Sequence, residues 1–179
     1  MKKKIRKFFG IADYLEEEQF LQNQHRQGWK MTDFNALTIT YTFEKCVPED
    51  YIYQLDFKEQ GQADDDYLLL FEDCGWEYFH KYNGWFYFRK KKSEDPDENS
   101  IFNDAPSRAE MAKKILSYQS LVLFLLLFPC YLLRQPLQTS NQLSTIIGII
   151  ICCFIFGLLL LHLKSFFKLQ KIIKQNTQI

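Results

Sequence analysis

No P-loop, no dinucleotide-binding glycine pattern, no HExxH and no paired-cysteine zinc spacing occurs in the 179 residues. The motifs that announce nucleotide, nicotinamide or zinc chemistry are therefore missing. Basic excess is missing too. Lys plus Arg and Asp plus Glu both total 22, and residues 1–92 hold 14 basic against 16 acidic side chains, a net of −2, which argues against a nucleic-acid partner. The five cysteines, at 46, 74, 130, 152 and 153, are odd in number and scattered. They exclude a secreted disulfide framework and read as reduced, buried thiols. The basic opening MKKKIRKFFG is followed at once by Asp13 and Glu16 to Glu18, so it lacks the apolar stretch of a signal peptide.

Histidine is equally sparse. Within residues 1–92 only His25 and His80 occur. His25 is expected on a helix surface and His80 among tyrosines on a sheet. Cys74 ends an apolar helical stretch and is expected to pack rather than to pair catalytically with His80. No catalytic residue, cofactor or metal is expected. The acidic run Asp64 to Asp66 reads as the start of a helix.

What the chain has in quantity is aromatic and apolar. Seventeen Phe and ten Tyr suit a small domain that must bury large side chains to be stable. Residues 115–133 carry no charge, and residues 143–163 carry none apart from the titratable His162. About 20 apolar residues span a hydrocarbon core of ~30 Å, so two spans are expected, the first kinked at Pro129. Lys113 and Lys114 precede the first span, and Lys164, Lys168, Lys171 and Lys174 follow the second. The loop between holds only Arg134. That bias places both termini in the cytoplasm. The expected organisation is a cytoplasmic domain over 1–92, an acidic linker over 93–107, and a juxtamembrane helix and first span over 108–133. An external loop over 134–142, a second span over 143–163 and a basic tail over 164–179 follow. Ser107 and Glu110 have capping-box spacing for the juxtamembrane helix. The bilayer is the expected partner, and the basic clusters at 2–7 and 89–92 suit anionic lipid at about 1 kcal/mol per charge.

Shifted by 47 residues, the first 92 residues match themselves. Phe20 falls on Tyr67, Leu21 on Leu68, Gly28 on Gly75 and Trp29 on Trp76. Each copy, over about 4–45 and 51–91, reads as strand, acid-started helix, Gly-Trp and two further strands. The fold class is therefore α+β: tandem duplicated β-α-β-β units forming an antiparallel sheet with two helices, followed by a transmembrane hairpin. Asp13 is placed to cap the first helix, which runs to about Gln27, with Glu16 at its third position. Gly28 and Gly75 suit left-handed helix ends. Alternation puts Ile39, Tyr41 and Phe43 on one strand face, and Tyr51, Tyr53, Leu55 and Phe57 on another.

The stretch CGWEYFHKYNGWFYFRKK (74–91) closes on Asn83-Gly84, a strong hairpin signal. Pairing Tyr82 with Trp85 puts Phe79, Phe86 and Phe88 on one face, expected as core, with Glu77 opposite Lys90. The other face gathers Trp76, Tyr78, Tyr82, Trp85 and Tyr87 with His80 and Arg89. These seven are the candidate site. They either pack internally or meet a protein partner or a small apolar or cationic ligand.

The segments YTFEK (41–45), DYIYQLDF (50–57), LLFEDCGWEYFHKYNGWFYFRKK (69–91) and IFNDAPSRAEM (101–111) resemble the bacterial family of domains of unknown function numbered 2812. The resemblance implies a bacterial inner-membrane protein, since members usually carry a membrane hairpin after this domain. It also implies envelope or regulatory work, since they are often encoded beside PadR-type repressors. The expected role is that of a sensor or regulatory adaptor, with a small-ligand binding module as the alternative. Tandem units of this kind are also similar, at the level of fold, to the ligand-sensing domains of the gyrase-inhibitor-like group.

Overall fold

Asp13 and Gly28 bracket the first helix in the computed structural model, which describes residues 1–58, 65–95, 99, 105–132 and 142–177. Helix α1 covers Tyr14–Arg26. Its end is a glycine in the left-handed region, φ +81° at Gly28, whose N–H donates to the His25 carbonyl at 2.8 Å. Helix α2, Asp65–Asp73, ends the same way: Gly75 has φ +80°, and its N–H donates to the Glu72 carbonyl at 2.8 Å. Only a residue without a Cβ adopts that conformation freely. Asp13 does not cap α1 with its side chain. Its carboxylate instead accepts from the Gly10 N–H at 3.0 Å and from Lys168 Nζ at 2.6 Å.

The strands form two sheets rather than the single sheet expected. β1 (Lys2–Arg6), β2 (Trp29–Asn35) and β3 (Thr40–Lys45) pair antiparallel in the order β1-β3-β2. β4 (Tyr51–Phe57), β5 (Glu77–Tyr82) and β6 (Trp85–Lys91) pair antiparallel in the order β4-β6-β5. Each half of the domain thus runs strand, helix, strand, strand, with its last strand central. β2 and β5 approach each other, but no ladder joins them. Side chains close the seam instead. Phe34 and Tyr82 rings meet edge-on at 5.3 Å, and the buried Arg89 donates from Nη1 to the Met31 carbonyl at 3.2 Å.

α1 lies along the free edge of β4 and covers both sheets. Glu18 accepts the Leu55 N–H at 2.8 Å, satisfying a donor that the edge strand would otherwise expose. Ile39, expected on the buried strand face, instead sits in the turn before β3 with φ 51° and is exposed. Tyr41 and Phe43 keep the expected burial, as do Tyr53, Leu55 and Phe57.

The aromatic hairpin departs from the simple alternation. Tyr82 pairs with Trp85 as expected, and Asn83 and Gly84 both have positive φ, as a two-residue primed turn needs. The register then slips between Tyr78 and His80, leaving Phe79 as the extra residue of a β-bulge. Past the bulge Tyr78 faces Phe88, and Glu77 faces Arg89 rather than Lys90. Trp76 and Tyr78 therefore join Phe86 and Phe88 in a small cluster with Tyr67, Leu68 and Phe71 of α2. Phe79 crosses to the opposite face, where it meets Tyr53 and Tyr87. Both faces of the hairpin are buried, and the larger core lies on the Trp85–Tyr87 side.

That core reaches into the C-terminal helices. α3 covers Ala105–Leu132, starting two residues before the expected cap Ser107. α4 covers Gln142–Thr177 and packs along α3. Ile115 of α3 and Leu169 of α4 are completely buried in the domain core, alongside Met111, Ala112 and Ile172. Residues 164–177, expected as a basic tail, are thus a core element. Among the described residues one helix, over Ile149–Asn176, is long and apolar enough to cross a membrane, and its apolar stretch is not buried inside the structure. The expected loop over 134–142 lies, but for Gln142, outside the described residues, as does most of the expected linker over 93–107.

Candidate ligand-binding cavity

α1 presents Tyr14, Glu17, Leu21 and His25, all buried, along one stripe at helical spacing. Three of these are ordinary core residues for an aromatic-rich interior. His25, expected at the surface, is stacked on Tyr51 at 4.1 Å and shares a 2.8 Å hydrogen bond with the Tyr53 hydroxyl. Burial first, then the nearby Arg89 charge, lowers its pKa from the ordinary 6.5 to about 4. Glu17 is the exception, a carboxylate in an aromatic core.

Tyr41 and Tyr87, from the central strands of the two sheets, both donate their hydroxyl protons to Glu17 Oε1 at 2.8 Å. Burial raises the pKa of Glu17, opposed by those two hydrogen bonds. Above this cluster lies a cavity of ≈ 220 Å³, walled by the Phe8–Ile11 loop, Tyr14, Phe34, Tyr82 and Trp85. It opens at the end of the seam between the sheets, where Tyr82 is 39% exposed. Trp85 is fixed by Tyr14 at 5.6 Å and Phe57 at 5.2 Å. Beside the cavity, Lys7 Nζ already lies over the rings of Phe9 and Phe20, at 4.9 and 4.4 Å. Ring faces in this region therefore accept a positive charge.

The seven residues singled out in the sequence fall in four places. Tyr82, Trp85 and Tyr87 line the cavity. Trp76 and Tyr78 lie on the other side of the sheet under α2, so they share no surface with them. Arg89 is committed to the two carboxylate oxygens of Glu77, from Nε at 2.7 Å and from Nη2. His80 stands edge-on to Tyr87 at 5.4 Å and 4.0 Å from Asp33, and its buried Nε2 has no partner among the described residues. Burial lowers its pKa, against the pull of Asp33. Cys74, expected to pack, is exposed. Among the described residues no group of three or more His, Cys, Asp or Glu could hold a metal ion.

Glu17, Tyr41, Phe34 and the Phe8–Ile11 loop were not apparent as site residues in the sequence. A signal for Glu17 does exist: it lies three residues after Tyr14 and four before Leu21, and Glu18 shares that stripe, so a helix buried on that side must bury acids.

An α+β domain of two three-stranded sheets, with an aromatic cavity over a buried acid and an apolar helix emerging from its core, defines the class. The chain belongs to the family described as protein of unknown function (DUF2812), whose model matches residues 13–126. That match takes in α1, α2, β2 to β6 and the first 22 residues of α3, and leaves β1 outside. No curated protein and no solved structure matches the chain.

Proposed function

We propose that this protein is a membrane-anchored sensor whose α+β domain holds a small organic cation or apolar amphiphile in the cavity over Glu17. The observation that carries this reading is a carboxylate buried among aromatic rings, with open space above it. Burying a charge costs free energy unless something repays it. Tyr41 and Tyr87 supply two hydrogen bonds to one oxygen, and a cation entering from the seam would meet the other. Ring faces of Trp85 and Tyr14 add cation–π attraction, stronger in a desolvated site than in water. Binding against the seam between the sheets would then alter how the two halves sit together, which is a change a regulatory partner could read.

The two halves read as copies of one unit, supported by their common element order, common strand order and matching helix-terminal glycines. The membrane reading is a two-pass hairpin in a bacterial inner membrane, with both termini cytoplasmic. Its supports are the apolar α4, the uncharged run from Gln119 onward to 133, beyond the part of α3 keyed into the domain core, and the lysines at 113, 114 and 164. A cysteine placed at Ser140 in a chain cleared of native cysteines should label from outside intact cells. Labelling only after permeabilisation reverses the topology.

The ligand reading is tested on the detergent-solubilised full chain with a hydrophobic cation such as tetraphenylphosphonium. Saturable quenching of tryptophan fluorescence is expected, weakened at least tenfold in Glu17→Gln and in Trp85→Leu. Unsaturable quenching, or equal affinity in wild type and Glu17→Gln, overturns the reading.

A further inference from the structure

A second and larger cleft, of ≈ 430 Å³, lies where the Phe8–Asp13 loop meets the crossing of α3 and α4. Its two ends differ in character. At one end Val122 and Leu123 of α3 and Leu158 and Leu161 of α4 form an apolar wall, with Leu161 58% exposed. At the other end are Asp13, Lys164, Ser165 and Lys168. Gln119 and His162, from the two facing helices, mark the divide. Gln119 Oε1 and His162 Nδ1 are both buried, and neither has a hydrogen-bond partner among the described residues. Two such polar atoms lining one cleft are unusual, since buried polar groups are nearly always satisfied.

We infer that this cleft binds an anionic phospholipid with a polyol headgroup, such as phosphatidylglycerol. The chemistry follows the gradient along α4. An acyl chain lies against the leucine wall, and a phosphate oxygen accepts the His162 Nδ1 proton in the tautomer that carries it. A headgroup hydroxyl donates to Gln119 Oε1. Lys168 is held by Asp13 and Glu16, each at 2.6 Å, so it neutralises the loop rather than the ligand. Lys164 has no carboxylate within ion-pair distance among the described residues, and it supplies the positive charge for the phosphate. A soluble anion would leave the apolar wall unused; a zwitterionic lipid such as phosphatidylcholine offsets its phosphate with its own ammonium and has no headgroup hydroxyl to donate to Gln119. The inference rests on the membrane reading of α4 and is independent of the cavity over Glu17.

Native mass spectrometry of the full chain, released from mixed vesicles of phosphatidylglycerol and phosphatidylcholine, tests it. One phosphatidylglycerol per chain should be retained at least tenfold in preference to phosphatidylcholine. Gln119→Leu combined with Lys164→Gln should abolish the preference, while Lys174→Gln, on the same helix but outside the cleft, should preserve it. Equal retention of the two lipids, or a double variant as selective as wild type, overturns the inference. So does glycerol phosphate competing as well as the lipid, because the apolar wall would then contribute nothing. Carbonate extraction of membranes separates the two levels: a chain that washes off refutes the membrane reading itself. A chain that stays but shows no selectivity refutes only the lipid site.

Discussion

Glu18 should make this protein less stable at mildly alkaline pH than near neutrality. Burial pushes its carboxyl from the ordinary 4.5 up to about 8, opposed by the Leu55 N–H and by Arg108 and reinforced by Glu17. An acid that holds its proton more tightly when folded contributes stability at low pH, and that contribution is lost as pH rises from 4.5 to about 8. Glu17, also raised, acts in the same sense. His25 acts oppositely. Its folded pKa of about 4 against the ordinary 6.5 makes stability rise with pH across that interval, and the lowered His80 does likewise. Asp13, Asp50 and Glu77 are lowered from ordinary carboxylate values and therefore act only in acid. Between pH 6.5 and 8 Glu18 is thus the main group working. At about 1.4 kcal/mol per pH unit, it removes about 2 kcal/mol over that window. Thermal unfolding of the detergent-solubilised chain at the two pH values should show a drop in Tm of several degrees. Glu18→Gln should remove most of the drop. If the variant falls as steeply as wild type, or wild type is flat, Glu18 is ionised in the folded protein and the account of its burial is wrong.

Glu17→Ala leaves the Tyr41 and Tyr87 hydroxyls without an acceptor, at about 1–3 kcal/mol each. Glu17→Gln keeps an acceptor, so Tm should rank wild type and Gln together, well above Ala. Leu169→Ala, at a fully buried position, should cost about 2–5 kcal/mol. Leu161→Ala, 58% exposed, should change Tm little, and equal effects at the two sites would show that α4 is not part of the core. Gly84→Ala forces a Cβ to 2.8 Å from the Lys58 carbonyl at φ +83°. It should lower Tm by more than the equivalent of about 1 kcal/mol, whereas Asn83→Gly should be tolerated.

The parts of the fold that follow from local chemistry were legible in the sequence. Gly28, Gly75 and Asn83-Gly84 marked chain reversals because positive φ is a property of single residues. The alternation through Tyr51 to Phe57 marked a strand because its period is short. The bulge at Phe79 left no such trace. It depends on pairing with β6, and one extra residue moved Trp76 and Tyr78 to the face opposite Tyr87. The split into two sheets was hidden for the same reason, since nothing in β2 or β5 forbids their pairing. Of the seven sequence candidates, Tyr82, Trp85 and Tyr87 line the cavity, while Glu17 was read as a member of an acidic run. The burial of Leu169 and Ile172 was obscured by the surrounding lysines, whose charges project away from an apolar stripe.

On the proposed membrane reading, α4 also sets the mechanical relation between domain and bilayer. Its 36 residues make a rod about 54 Å long at 1.5 Å per residue, against a hydrocarbon thickness of ~30 Å. The excess is no tether, because Leu169 and Ile172 key it into the domain interior. A domain on a flexible linker tumbles freely and transmits no torque. This one is mounted like a lever on its pivot. A tilt or rotation of α4, if it spans the bilayer as proposed, must be followed by the core, and through Lys168, Asp13 and Glu16 by the loop that walls both cavities.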